Sequence, residues 1–167
     1  MITFIKQYFR FIFLAALLPA CSKQKGFGPN YSDYSSPAVP VTVENSIGNR
    51  PDPTVTCSIG GDSSITVTMD IPASSKHTIK EITKVATSTG YTSIQSAGTS
   101  GFYPVAAIPG NGTTVTFKTT LRVYLSVNTK EPAIKVNTEL ANRYFFRITL
   151  DDGSVIYPTA TRVLIVN

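Results

Sequence analysis

The chain predicts an all-β fold, an antiparallel β-sandwich of about seven or eight short strands. Three observations carry that prediction. Stretches such as Ser64-Ile65-Thr66-Val67-Thr68-Met69-Asp70-Ile71 alternate polar and apolar residues with period two, the pattern of a strand with one buried face. No segment has a strong 3.6-residue period. Turn residues punctuate the C-terminal two thirds at short intervals, which suits a sandwich better than βαβ units.

Ahead of the strands stands a different kind of segment. Residues 1–21 read MITFIKQYFRFIFLAALLPAC. Lys6 and Arg10 give a positive start, Phe11 to Leu18 is unbroken apolar sequence, and small Ala20 precedes Cys21. This is a secretory signal pattern, with an apolar run shorter than the roughly 20 residues of an ordinary membrane span. Leu18-Pro19-Ala20-Cys21 resembles the bacterial lipobox, with Pro19 a less usual residue at its place. The resemblance implies a signal peptide over residues 1–20, a diacylglyceryl group on the Cys21 thiol and an acylated new N-terminus. Several acyl chains would hold the protein durably, since each buried CH₂ adds about 0.8 kcal/mol. A lipid-anchored location in the cell envelope, at the outer membrane, is the expectation.

Residues 22–53 read as a tether. Five prolines, three glycines and few large aliphatics cannot build a core. As a flexible coil it would span roughly 30 Å. Val39–Glu44 could form a short strand, and Phe27, Tyr31 and Tyr34 read as solvated linker residues.

The domain is expected over residues 54–167. Thr54 to Ile59 is strand-like, and Ser64 to Ile71 is a strand stopped by Pro72. Ile79 to Thr87 is ambiguous: Ile79, Ile82 and Val85 recur at helical spacing, but the β-branched content reads as strand. Thr113 to Thr119 alternates again, with Val115 and Phe117 inward. Leu121 to Leu125 can continue that strand or form one helical turn. Asn142 to Leu150 places Tyr144, Phe146, Ile148 and Leu150 on one face. Asp151-Asp152-Gly153-Ser154 is a hairpin turn, because Gly accepts the positive φ the turn needs. Val155 to Tyr157 returns, and Arg162 to Val166 is the last strand.

Glu139-Leu140-Ala141-Asn142-Arg143-Tyr144-Phe145-Phe146-Arg147-Ile148 resembles the approach to strand F in fibronectin type III and immunoglobulin-like domains. The resemblance implies an immunoglobulin-like sandwich. Tyr144 would be the tyrosine of the tyrosine corner, its hydroxyl bonding upstream backbone, and Asp151-Asp152-Gly153 the turn after strand F. The strand-C Trp and paired Cys of true immunoglobulin domains are absent. More loosely, the whole chain is similar to small lipoproteins of the Bacteroidota with one such domain behind a lipobox, a similarity that brings no assigned activity.

Composition narrows the chemistry. The 167 residues include one His, no Trp and two Cys, and only 15% are charged. Ser and Thr are abundant, at 16 and 22. A multi-His metal site and a four-Cys/His zinc site are excluded, as is a disulfide-dense scaffold. Neither a Rossmann nor a P-loop fingerprint occurs. The formal charge is +5, and removing Lys6 and Arg10 leaves 13 basic against 10 acidic residues. No basic cluster supports nucleic-acid binding. With Cys21 lipidated, Cys57 has no partner in its chain; it could be a reactive thiol or bridge to another chain, but with no base or cation nearby in sequence it reads as a small buried hydrophobe.

Candidate site residues are few. His77 could in principle serve a Ser–His–Asp triad, but it sits in a polar loop without a Gly-x-Ser-x-Gly elbow and reads as a solvated loop residue. Asp151 and Asp152 could join a weak Ca²⁺ site, but hairpin-turn chemistry explains them; Asp52 and Asp62 flank strands in the same way. Phe102 and Tyr103 lie between Gly101 and Pro104 and could form a ligand contact at one sandwich end, or cap the open end of the core. Tyr91 and Tyr157 carry the same two readings. No catalytic residue, metal or other cofactor is expected. The functional expectation is a lipid-anchored, non-enzymatic module for adhesion, envelope structure or partner association, bound to the membrane through the Cys21 lipid. The alternative is a glycan- or peptide-binding accessory lipoprotein of a nutrient-uptake system.

Overall fold

A computed structural model describes residues 39–48, 52–95, 103 and 106–167 of the chain. The signal, Cys21, most of the tether and Phe102 lie outside these residues. The described strands are β1 (Thr42–Val43), β2 (Thr54–Ser58), β3 (Ser64–Asp70), β4 (Ile79–Ser88), β5 (Ile108–Pro109), β6 (Thr114–Thr120), β7 (Arg143–Leu150), β8 (Val155–Ile156) and β9 (Arg162–Val166). Two short helices join them, α1 (Thr92–Gln95) and α2 (Leu121–Val127). The protein is all-β, as its alternation predicts.

One sheet has the order β1–β3–β6 and is antiparallel. A second has the order β5–β4–β7–β8, also antiparallel. β2 and β9 form a parallel pair, from Thr54 opposite Arg162 to Ser58 opposite Val166. Reciprocal backbone bonds of 2.9 Å between Tyr144 and Thr161 connect β7 to the start of β9. The sheets are therefore antiparallel and mixed, not purely antiparallel. On its other edge β9 meets residues 137–140, through Asn137 N–H to the Ile165 carbonyl at 2.8 Å and Leu140 N–H to the Val163 carbonyl at 3.0 Å. Both edges of the terminal strand are thus occupied, which satisfies its backbone groups.

Alternation puts Ile65, Val67 and Met69 of β3 and Val115 and Phe117 of β6 into one core with Tyr144, Phe146, Ile148 and Leu150 of β7. Phe117 bridges the two sheets, its ring 5.4 Å from that of Tyr144 and 5.5 Å from that of Phe146. Truncating such a buried Phe costs about 3–5 kcal/mol. The outer face of β4 and β7 is covered as well. There α1 packs Ile94 against Ala86, Phe145 and Ala160, with Tyr91 and Tyr157 alongside.

β4 resolves the ambiguous spacing. Its pairing with β7 shifts register twice, skipping Lys80 and Thr83. Each extra residue resets the alternation, so Ile79, Ile82 and Val85 all point inward from a strand. The bulged Thr83 donates its hydroxyl to the Arg147 carbonyl at 3.1 Å.

Leu121–Val127 is a helix rather than more strand. The Thr120 hydroxyl accepts from the Val123 N–H at 3.3 Å, an N-cap that ends β6 and starts the turn. Only Leu121 and Tyr124 are buried in it. The packed chain also begins earlier than composition suggests. Val39 and Val43 are buried, and Thr42–Val43 pairs with Asp70–Met69 of β3.

Candidate functional site

Two loops distant in sequence meet at one end of the second sheet. After β3, Pro72 opens a 3₁₀ turn over Ala73–Ser75, and Lys76 leaves it at φ 60°. That backbone reversal delivers His77 just before β4. Across from it lies the β7–β8 hairpin, in which Gly153 takes φ 84° and donates its N–H to the Leu150 carbonyl at 3.0 Å. The Asp151 N–H donates to the Thr78 carbonyl at 3.0 Å, tying the two loops together.

This brings His77, Asp151 and Asp152 into one cluster. His77 Nδ1 lies 3.0 Å from Asp151 Oδ1 and 3.9 Å from Asp152 Oδ2. The carboxylates are anchored by the turn. Asp151 Oδ1 accepts from the Asp152 N–H at 3.1 Å, and Asp152 Oδ1 accepts from the Ser154 N–H at 2.9 Å. The His77 hydrogen bond is the main cause holding the Asp151 carboxyl below its ordinary value, and the Ser154 bonds do the same for Asp152. The hairpin turn forms as its residues predict. The imidazole does not: His77 is paired rather than solvated, and a partner 74 positions away leaves no local trace in sequence.

A second polar cluster is a clasp. Asp52, ahead of β2, accepts from Arg162 Nε at 3.2 Å and forms an ion pair with Arg143 Nη1 at 3.0 Å. Arg162 Nη1 also donates to Glu139 Oε2 at 2.6 Å. Asp52 is only 13% exposed, so these charge-assisted bonds replace most of its water. Asp52 looks in sequence like a turn residue, and only the fold reveals its two arginines. Asp62 is a turn residue, its Oδ1 accepting from the Ser64 N–H at 2.9 Å.

The aromatic candidates divide: Tyr103 is in the core, whereas Tyr91 and Tyr157 are half-buried against the outer-face cluster. Tyr103 is buried, its N–H bonded to the Val85 carbonyl at 2.8 Å, so its ring fills the core and offers no platform to solvent. Burial pushes its hydroxyl up to about 12. Its oxygen lies 2.7 Å from that of Tyr144, the hydrogen bond that the Tyr144 hydroxyl makes among the described residues. The corner-like role falls to Tyr124 on α2. Its hydroxyl donates to Glu131 Oε2 at 2.6 Å and accepts from the Asn142 N–H at 3.2 Å, fixing the loop that leads into β7. Tyr91 donates to the Pro158 carbonyl at 3.3 Å and packs edge-on against Phe145. Cys57 is buried and its thiol is pushed up by that burial.

A shallow pocket of about 280 Å³ lies in the loop before β7, lined by residues from Glu131 to Ala141. Among the described residues no helix is long and apolar enough to cross a membrane. No family model matches the chain, and no curated protein or solved structure does either.

Proposed function

We propose that the protein is a lipid-anchored, non-enzymatic envelope module, an immunoglobulin-like sandwich held behind Cys21 and serving adhesion, envelope structure or association with a protein partner. Two sheets facing each other across one core, with Tyr144 inside it on β7, support the sandwich reading. The anchor rests on the Leu18–Cys21 motif. The observation that carries the combined reading is the seating of Val39 and Val43 in the core. It starts the packed domain shortly after the modified cysteine. Residues 22–38 can reach at most about 60 Å, so the domain stays near the membrane surface.

Protease treatment of intact cells tests this reading. Cleavage of the domain on whole cells, with release of the Cys21→Ser form into the medium, fits a surface-displayed module. Protection until the outer membrane is breached fits a periplasmic one. An unmodified Cys21 in the chain recovered from the membrane fraction contradicts the anchor, and turnover by the purified chain on ester, glycan or peptide panels contradicts the non-enzymatic reading.

One observation favours a glycan- or peptide-binding accessory role instead, the pocket along Glu131–Ala141. In that case Lys135→Ala weakens capture of an oligosaccharide or peptide without lowering Tm. Unchanged capture removes this reading.

A further inference from the structure

We propose that His77 Nδ1, Asp151 Oδ1 and Asp152 Oδ2 bind a divalent first-row transition cation of the zinc class. Each of the three residues offers a donor atom within 4.8 Å of the other two. Donors at about 2.0–2.2 Å from a tetrahedral ion of this kind stand roughly 3.3–3.6 Å apart. The 3.0 Å and 3.9 Å separations from His77 Nδ1 therefore need only small side-chain rotations to close on a cation. The inference is independent of the anchored-module reading.

The donor set also selects the ion. Two adjacent carboxylates on a hairpin are ordinary turn chemistry and indicate nothing by themselves. What distinguishes this cluster is an imidazole delivered to both of them from a separate loop, and it is the only imidazole in the chain. Calcium and magnesium take oxygen shells and have little use for an imidazole nitrogen. Zinc and its neighbours accept mixed nitrogen and carboxylate ligands. Asp152 Oδ1 is held by the Ser154 N–H and Oδ2 is turned toward His77; Asp151 Oδ1 accepts from the Asp152 N–H and has a further lone pair for a cation. The ring would coordinate through Nδ1 with its proton on Nε2. Three protein donors on a partly exposed surface leave further positions for water or for a donor from a partner molecule. A bound ion would staple the loop before β4 to the β7–β8 hairpin.

Calorimetric titration of the detergent-solubilised full chain with zinc chloride tests the site, with calcium chloride as the comparison ion. One saturable zinc equivalent is expected, with calcium at least roughly tenfold weaker and zinc affinity falling at least roughly tenfold in His77→Ala and in Asp152→Asn. Asp152→Asn keeps the side-chain acceptor for Ser154, so the turn survives. The single imidazole gives a second readout that needs no variant: its NMR signals should shift on zinc addition and saturate at one equivalent. The proposal is overturned by no saturable zinc binding, by equal affinities for zinc and calcium, by unchanged affinity in His77→Ala, or by imidazole signals that do not move.

Discussion

The hydroxyl oxygens of Tyr103 and Tyr144 lie 2.7 Å apart inside the core. Tyr144, with none of its surface exposed, has only Tyr103 for its hydroxyl among the described residues. The pair therefore fastens Tyr103, ahead of β5, to the start of β7.

That pairing makes a prediction. Tyr103→Phe strands the Tyr144 hydroxyl and Tyr144→Phe strands that of Tyr103, and each should cost about 1–3 kcal/mol. The double variant should be less destabilised than the two singles combined, because it removes both partners together. Urea denaturation of the four proteins reads the cycle.

The clasp around Asp52 makes another. Asp52→Ala leaves Arg143 without its carboxylate and Arg162 with Glu139 alone. A loss of about 1–3 kcal/mol in denaturant stability is expected. A loss under about 0.5 kcal/mol would mean that solvent screens the pair as at an ordinary surface bridge.

Gly110 tests backbone packing. A Cβ there would sit 2.0 Å from the Ile79 carbonyl oxygen, and the Gly110 N–H is bonded to the Lys80 carbonyl at 2.9 Å. Gly110→Ala must push β5 off the bulged start of β4 and should cost more than about 2 kcal/mol. Gly112→Ala meets no atom but strains a φ of 63°, so its cost should be nearer to about 1 kcal/mol.

Stability should also depend on acid. Asp62, Asp151 and Asp152 all titrate below their ordinary 3.8 in the folded chain. A depressed folded value contributes stability that is present above the unfolded value and lost as pH falls through the folded one. The denaturation midpoint should therefore fall as pH drops below about 4, and Asp151→Asn should flatten that fall. An identical acid profile in the variant would show that the His77 bond does not hold in solution.

Cys57 should behave as core. Its thiol is buried and raised, so maleimide should leave the folded chain unlabelled at pH 8 and label it in denaturant. Rapid labelling of the folded form would place the thiol at the surface.

Much of this fold was legible in the residues, and the failures have physical causes. β3 and β6 each have a simple period of two because each keeps one face on the core. β4 looked half helical because two bulges turned a two-residue period into a three-residue one. Nothing in Ile79–Ser88 marks those bulges, since they arise from pairing with β7. Leu121–Val127 carries apolar residues at positions that serve either element, and the Thr120 cap decides. The parallel β2–β9 pair joins the two ends of the domain, a choice no local pattern encodes. The candidate site was half legible. The hairpin was readable from Asp152-Gly153, whereas its link to His77 depends on how β3, β4 and β7 are laid side by side. Tyr103 was readable as core or contact, and its hydrogen bond to Tyr144 places it in the core.

The central proposal, a lipid-anchored module, is tested most directly by intact-mass and N-terminal peptide analysis of the protein from the membrane fraction. The account predicts a chain beginning at Cys21, with a diacylglyceryl group on its sulfur and an acyl chain on its amine. A mature chain that retains residues 1–20, or one with an unmodified Cys21 thiol, would contradict it.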